Sequence, residues 1–376
     1  MFIPPSREFL TYKAGKWKFT AACDSTVIYP LLVRARTMFE AVSAIPLMPE
    51  WRSMLNTELI TRSIFGTAAI EGNPMSEQEV SIELSGAASP VHDTTRAQCE
   101  IRNLSILYKF LKETKTPEKP LNEDLVKSFH SIITTGLAFE DNIPGHYRNS
   151  AVKVGDAAHG GVYTPPRERV DVMNLMRELF LWLHSEETQK TDPLLLAACV
   201  HYYLVRIHPF RDGNGRTARF AEAYLLASAG MGLISPMLSN YYYRFKDDYF
   251  NVIFETAKSG DMTPFFQFFL TAFYEEMKLI QKEIIPMLKI FMLRDVVDIL
   301  GKGKKITKRQ QALLEILLRN GDNVSLDDLY ERAEFSGYYK NVTQSTARRD
   351  LKKLTYMDLL IQQDKRYSLN LDYLNT

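Results

Sequence analysis

Apolar residues recur at helical spacing from near Leu55 to Ile70, and Gly72-Asn73 behind them supply a helix stop. Residues 193–205 are apolar almost throughout, as expected of a helix buried on every side. Residues 220–233, rich in Ala and Leu, read as a further helix that buries against residues 193–205. Residues 149–166 break this periodicity. Val152 and Val154 alternate with other residues, a Gly- and His-containing turn runs from Gly155 to Gly161, and Val162-Tyr163-Thr164 follows. That pattern predicts a β-hairpin, which Pro165-Pro166 must end. Aromatic side chains crowd residues 239–243 and 247–251, and such side chains more often fill a core than face a ligand.

The last quarter changes character. A long helical pattern ends near Leu300, and Gly301-Lys302-Gly303-Lys304-Lys305 reads as a basic linker. Apolar spacing then predicts three short helices at 307–319, 325–332 and 343–354. A strand pair follows at 359–362 and 366–369, turning through Gln363-Asp364-Lys365. Helix, helix, helix and small hairpin is the order of a winged helix, with Gln344-Ser345-Thr346-Ala347-Arg348-Arg349 at the start of its recognition helix. Residues 301–376 hold 14 Lys and Arg against 10 Asp and Glu. This mild excess leaves DNA binding and protein docking equally open. The fold class expected is mainly α, with a small β-hairpin flap and a C-terminal winged-helix domain. The division expected is an N-terminal helical region at 1–110, a helical core at 111–285, a helical and basic linker at 286–305 and the winged helix at 306–376.

Composition narrows the setting. At 376 residues the chain is long enough for two or three domains, and a net charge of +1 gives no global attraction to nucleic acid or membrane. Cys23, Cys99 and Cys199 are far apart and fit neither a disulfide framework nor a zinc site. A reducing cytoplasm suits them. No leader-like N-terminus and no run of about 18 apolar residues occurs, so no membrane partner is expected.

Candidate chemistry concentrates in His208-Pro209-Phe210-Arg211-Asp212-Gly213-Asn214-Gly215-Arg216-Thr217-Ala218-Arg219. A Gly-Asn-Gly turn can take positive φ and converge its N–H groups on an anion, and the helix behind it adds a positive N-terminal end. Arg216 and Arg219, three apart, share one helix face, and a planar guanidinium suits phosphate oxygens. Asp212 can hold a hard cation such as Mg²⁺, which takes a carboxylate together with substrate phosphates. His208 titrates near neutrality and can take the proton of a hydroxyl. These are the parts of a phosphate-transfer site.

The segment resembles the Fic family motif His-x-Phe-x-(Asp/Glu)-Gly-Asn-Gly-Arg-x-x-Arg at every defined position. The resemblance implies a mostly helical enzyme that transfers AMP from ATP to a Ser, Thr or Tyr hydroxyl of a target protein, and of itself. It further implies that His208 is the general base, Asp212 the Mg²⁺ ligand, and Gly213, Asn214 and Gly215 the phosphate cradle. Arg216 would hold phosphate during transfer and Arg219 the γ-phosphate. Residues Thr67-Ala68-Ala69-Ile70-Glu71-Gly72 resemble the family's inhibitory motif (Ser/Thr)-x-x-x-Glu-(Gly/Asn), in which the glutamate, here Glu71, pairs with the second motif arginine. The hairpin, introduced by Gly145-His146-Tyr147-Arg148, resembles the flap that takes up a target by strand addition, with Val162 and Tyr163 at the docking edge. The helices after the motif would wall an adenine pocket, with Tyr249 or Asn251 within reach. The partners implied are a protein with an acceptor hydroxyl, DNA at the winged helix and a second copy of the chain. A rival reading keeps the same residues but makes the chain a DNA-binding regulator whose core senses nucleotide or modifies itself.

Overall fold

The computed structural model describes residues 1–86, 95–114, 119–137, 141–232 and 237–373. They form two compact units, Met1–Lys278 and Leu279–Thr376.

The first unit opens with an antiparallel hairpin, β1 (Arg7–Leu10) and β2 (Lys16–Phe19), in which Arg7 lies opposite Phe19. Helices follow in order: α1 (Ser25–Ser43), α2 (Pro49–Ile70), α3 (Glu77–Ser85), α4 (Arg96–Thr114), α5 (Glu123–Thr134), α6 (Arg169–Leu183), α7 (Pro193–Ile207), α8 (Asn214–Ser228), α9 (Leu238–Arg244) and α10 (Lys246–Ser259). The division between the units falls inside α11 (Thr263–Lys302), which runs through Pro286 without interruption. Helix α7 is the centre of the unit. Asp192 caps it by accepting from the Leu194 N–H at 2.9 Å, Pro193 occupies its first turn, and its residues from Leu194 to Leu204 are all buried. Helix α8 packs along α7, with α5, α4 and α2 also against α8, so the loop between α7 and α8 is fixed from several sides.

The region expected to be helical, 1–110, opens instead with this hairpin. The alternation of Lys16, Trp17, Lys18 and Phe19 is its cause: Phe19 is buried against Trp182 and Tyr203, while the lysines face solvent. The buried carboxylate of Asp171 fixes the hairpin turn by accepting from the backbone N–H groups of Tyr12, Lys13 and Ala14 at 2.6 to 2.9 Å. The expected flap hairpin is reduced to a single bridge, Val154 with Tyr163, closed by a short 3₁₀ turn at Ala157–His159. The helix expected over 220–233 belongs to α8, which stops at Ser228. Its expected end, Leu233, lies outside the described residues.

In the second unit, α12 (Lys308–Asn320) starts from a capping box in which Thr307 and Gln310 satisfy each other's backbone N–H groups. Strand β3 (Val324–Ser325), α13 (Asp328–Glu331), α14 (Ala333–Tyr339), α15 (Gln344–Tyr356), β4 (Leu360–Gln363) and β5 (Arg366–Leu369) follow. The strands make an antiparallel sheet in the order β3-β5-β4. Leu313, Leu317, Phe335, Leu351 and Leu354 are buried together at its core. One expected helix, 325–332, is a short strand and a single turn, followed by α14. The Gly- and Lys-rich linker is shorter than expected because α11 continues to Lys302. Among the described residues no helix is long and apolar enough to cross a membrane.

Candidate active site

Helix α7 ends at His208, whose φ of 52° and ψ of 59° lie in the left-handed region, and Pro209 prevents any continuation. A histidine held there stores strain, which the neighbourhood must over-determine. Arg148 does so: its Nε donates to the His208 carbonyl at 2.7 Å, its backbone N–H donates to Pro209 O at 3.0 Å, and its other nitrogens bond Ser150 O and Pro166 O. The His208 Nδ1 lies 3.3 Å from the Val205 carbonyl, which can only accept, so Nδ1 carries the proton and Nε2 keeps its lone pair. Burial pushes the imidazole pKa down to about 4, with the Val205 carbonyl opposing. The ring is therefore neutral, and able to accept a proton, at physiological pH.

Beyond His208 the loop is pinned from below. Phe210 is wholly buried and stacks on His130, ring centroids 3.7 Å apart at 3°. Nε2 of His130 donates to the Asp212 carbonyl at 2.9 Å, and its Nδ1 accepts from the Gly145 N–H at 2.9 Å. These two bonds fix one neutral tautomer, and burial lowers the His130 pKa to about 4. The Asn214 side chain closes the loop on itself, accepting from Phe210 N–H and donating to Phe210 O, both at 2.9 Å. Its amide is thus spent on structure, and what it can offer an anion is its backbone N–H. Gly213 sits at φ 76°, and a Cβ there would stand 2.8 Å from Thr134 Cγ2. Only glycine satisfies both demands.

Asp212, Gly213, Gly215, Arg216, Arg219 and Glu71 come together at the first turn of α8. Asp212 Oδ1 accepts from the Gly213 N–H at 2.7 Å and from Arg216 at 3.2 Å, and its Oδ2 accepts from Arg96 at 3.3 Å. Arg216 is buried. Its Nη1 lies 3.4 Å from Glu100, yet Nε and Nη1 complete no hydrogen bond. Two buried guanidinium nitrogens without a hydrogen-bond acceptor fit a site meant to receive anionic oxygen. Among the described residues no group of three or more His, Cys, Asp or Glu could hold a metal on its own. A single carboxylate beside phosphate-seeking arginines suits Mg²⁺, which commonly draws further ligands from phosphates and water.

Glu71 is the residue that ends α2, immediately after Ile70, and α2 brings it over α8. Its Oε1 accepts from Arg219 Nη2 at 2.6 Å, while Arg219 Nε and Nη2 donate to Thr67 Oγ1 at 2.7 Å and Thr67 O at 3.2 Å. Arg219 is 1 % exposed and the Glu71 side chain 33 %. Burial works to raise the Glu71 pKa, and Arg219, then Arg216, outweigh it and hold the carboxyl below its ordinary value. A Cβ on Gly215 would fall 2.2 Å from Glu71 Oε1. The carboxylate therefore rests directly on the first turn of α8, where the helix dipole favours negative charge.

Residues 120–226, which carry this loop and both helices around it, match the Fic/DOC family. The chain carries a Fic-family domain. Relatives include the protein adenylyltransferase Fic of Drosophila ananassae, 30 % identical over 220 residues, and that of Aedes aegypti, 31 % identical over 212 residues. Each alignment covers 56 % of this chain, and the chain spans about two fifths of these relatives, 39 % and 40 %. A Fic family protein from Desulfovibrio desulfuricans G20 shares the fold at a TM-score of 0.59 and 20 % identity, over 93 % of this chain and 97 % of the other. Fic-1 residues 134–508 from C. elegans superpose at 0.55 and 23 % identity, over 69 % and 73 %.

The segment around the Val154–Tyr163 bridge leaves an edge open. Tyr163 exchanges both backbone bonds with Val154, whereas the backbone groups of its neighbours Val162 and Thr164 make no hydrogen bond within the described residues. Val162 is 58 % exposed. Tyr163 covers Arg206, ring to guanidinium 3.8 Å. His159 ties the flap tip to α10 through Asp247 at 3.1 Å. Of the two residues placed within reach of nucleotide, Tyr249 is buried, with its hydroxyl 2.8 Å from His201 Nε2. Sequence reasoning did not single out His130, Glu100 or Arg96, because each acts across 80 or more residues or through a partner far along the chain.

Proposed function

We propose that the chain is a protein adenylyltransferase, moving AMP from ATP to a Ser, Thr or Tyr hydroxyl of a protein and of itself, and held in check by Glu71. The observation that carries this is the pairing of a neutral His208, its Nε2 free to accept, with an anion seat on α8 that Glu71 already occupies. In this reading the ATP phosphates lie on the N–H groups of Gly213, Asn214 and Gly215, with Arg216 on the transferred group and Arg219 on the γ-phosphate. Asp212 would hold Mg²⁺, which supplies charge neutralisation on the phosphates.

A target strand adds to the open edge at Val162 and Thr164 and presents its hydroxyl to His208. Nε2 takes the hydroxyl proton while the oxygen bonds to the α-phosphorus, and the bond from that phosphorus to the bridging oxygen of pyrophosphate breaks. Phosphodiester and pyrophosphate result, with no redox change. A positioned base is worth roughly 10²–10⁴ in rate for such a step. Glu71 would exclude the γ-phosphate from Arg219 until it withdraws.

The second unit reads as a winged helix. On α15, Gln344, Ser345, Arg348 and Arg349 are exposed while Ala347, Asp350, Leu351 and Leu354 are buried. Asp350 is tied inward by Arg309 and Gln310. A polar and cationic outer face on a short helix suits a duplex groove, and would target the enzyme to DNA.

The test of transfer is incubation of the Glu71→Gly chain with isotope-labelled ATP, Mg²⁺ and cell lysate, followed by mass spectrometry. Adenylylated hydroxyls that vanish with His208→Ala are expected. Absence of any adenylylated residue, on lysate proteins and on the chain itself, overturns the proposal.

A further inference from the structure

Beyond Thr164 the open edge can no longer bind a strand by its backbone. Pro165 and Pro166 have no N–H to donate and are buried, and Pro166 O already accepts from Arg148. Any further recognition of a target must pass to side chains. A groove of about 670 Å³ is present where that happens, walled by residues 163–168, by Lys13, Ala14, Lys16 and Trp17 of the first hairpin, and by Arg206 in the last turn of α7.

The walls carry Lys13, Lys16, Arg167 and Arg206 against the single carboxylate of Glu168. Glu168 is spent on Lys13, at 2.8 Å, and Lys16 pairs with Glu8 at 2.5 Å. The two arginines are left. Arg167 is exposed and Arg206 half-buried against the Tyr163 ring, and neither has an ion pair among the described residues. The indole N–H of Trp17 is buried and has no hydrogen-bond acceptor. Two unpaired guanidinium groups and an unspent N–H in one groove match a carboxylate, which only accepts.

Strand geometry says which target residue reaches it. The Tyr163 side chain turns toward α7, with its ring 3.8 Å from the Arg206 guanidinium and its hydroxyl donating to Arg206 O at 3.2 Å. In a strand added beside Val162 and Thr164, every second side chain faces α7 as Tyr163 does. His208 follows directly on α7, so the acceptor hydroxyl is one of these. The next of them stands about 7 Å farther along, over the groove.

We propose that this groove selects the target: it takes an Asp or Glu side chain two residues from the modified hydroxyl, so that acidic extended segments are the favoured substrates. The inference rests on the proposed adenylyl transfer and on strand addition at Val162 and Thr164, and it assigns specificity to Arg167, Arg206 and Trp17. A peptide fits better than a nucleic acid, because the groove continues a backbone edge and both of its lysines already have carboxylate partners.

The experiment maps adenylylated sites by mass spectrometry after incubating the full chain carrying Glu71→Gly with ATP, Mg²⁺ and a denatured proteome digest. Sites are expected to be enriched in Asp and Glu two residues from the acceptor, and on one side only, since an added strand has one direction. Arg206→Met keeps an unbranched apolar chain against Tyr163 and removes the charge. It is expected to lower modification of the acidic sites about fivefold, the upper end for a partly exposed pair, and to spare sites with a neutral residue there. Arg167→Glu is expected to turn the preference toward Lys and Arg. Calorimetric ATP affinity within about twofold of the parent shows that each variant is folded. A structural role would lower all sites together, so uniform loss, or a site preference that neither variant moves, overturns the inference. Binding of a single-stranded oligonucleotide that Arg167→Glu abolishes, with site sequences unchanged, assigns the groove to nucleic acid and overturns it as well. Absence of any adenylylated site fells the proposed transfer itself, and the role of the groove with it.

Discussion

Replacing Glu71 with glycine should raise activity and lower stability at once, and the size of both effects can be worked from one contact. The Arg219 Nη2 to Glu71 Oε1 distance is 2.6 Å, with the guanidinium 1 % and the carboxylate 33 % exposed. A solvated surface pair would be worth about 0–1 kcal/mol. Removing one partner of a fully buried pair costs about 3–5 kcal/mol. With one partner buried and the other a third exposed, we expect about 2–3 kcal/mol. If that is the free energy favouring the closed site, its removal raises the population able to place a γ-phosphate by roughly 30- to 140-fold, at about 1.4 kcal/mol per factor of ten. The assay is the initial rate of adenylylation, self-modification included, with ATP below half-saturation and excess Mg²⁺. The same variant without nucleotide should lose about 4–12 °C in Tm, at about 2–4 °C per kcal/mol for a domain near this size. Arg219→Ala added to Glu71→Gly should cancel most of the rate gain, since the released group is then missing. A Glu71→Gly rate equal to that of the parent at every ATP concentration would refute the reasoning.

Other outcomes follow from single residues. His208→Ala should cut transfer by roughly 10²–10⁴ while calorimetric ATP affinity stays within about twofold, because the base is separate from the phosphate cradle; near-parental transfer by this variant would show that another group takes the proton. His130, wholly buried, has its pKa lowered from 6.5 to about 4, so its neutral form is favoured in the folded state. Its contribution is complete above about pH 6.5 and is lost as pH falls toward 4, up to about 3 kcal/mol. His130→Gln should therefore flatten the loss of urea-unfolding free energy between pH 6.5 and 5 by close to one proton, and an unchanged slope would contradict the burial argument. Arg348→Glu with Arg349→Glu should weaken duplex binding by the full chain at low salt, and binding by the parent should fall as salt rises. Binding that ignores both would leave α15 as a protein-docking face.

The helical frame and the candidate loop between α7 and α8 were legible because their signals are local. The apolar run into His208, the Pro209 stop, and the fixed spacing of Asp212, Gly213, Gly215, Arg216 and Arg219 all lie within one stretch of chain, and the structure brings them to one helix end. The Glu71 pairing was reachable only through resemblance, since nothing in residues 67–72 announces a partner 148 positions away. His130 had no signal at all. A histidine on the apolar face of α5 reads as core, and its role depends on Gly213 reaching it across the fold. The flap was over-read. Alternating valines satisfy strand periodicity, but Gly155, the 3₁₀ turn and Pro165-Pro166 leave room for one bridge. The hairpin at the N-terminus was under-read, although Lys16, Trp17, Lys18 and Phe19 alternate as a half-buried strand should.

In the proposed function, the same geometry lets a carboxylate stand guard over a phosphate site. A seat for anionic oxygen needs converging N–H groups, a helix N-terminus and a guanidinium, and none of these distinguishes phosphate from carboxylate at short range. Gly215 makes the overlap possible, since a Cβ there would meet both the Glu71 oxygen at 2.2 Å and Arg219 Nη1 at 3.0 Å. What distinguishes the two anions is reach and charge. Glu71 is tethered to the end of α2 and brings one charge, whereas a triphosphate brings several and can engage Arg216 as well, whose Nε and Nη1 have no hydrogen-bond acceptor while Glu71 sits on Arg219. The closed state thus leaves unsatisfied the donors that a bound nucleotide would satisfy. In the proposed function, a change at the end of α2 worth no more than the Glu71 to Arg219 contact itself would then exchange one anion for the other.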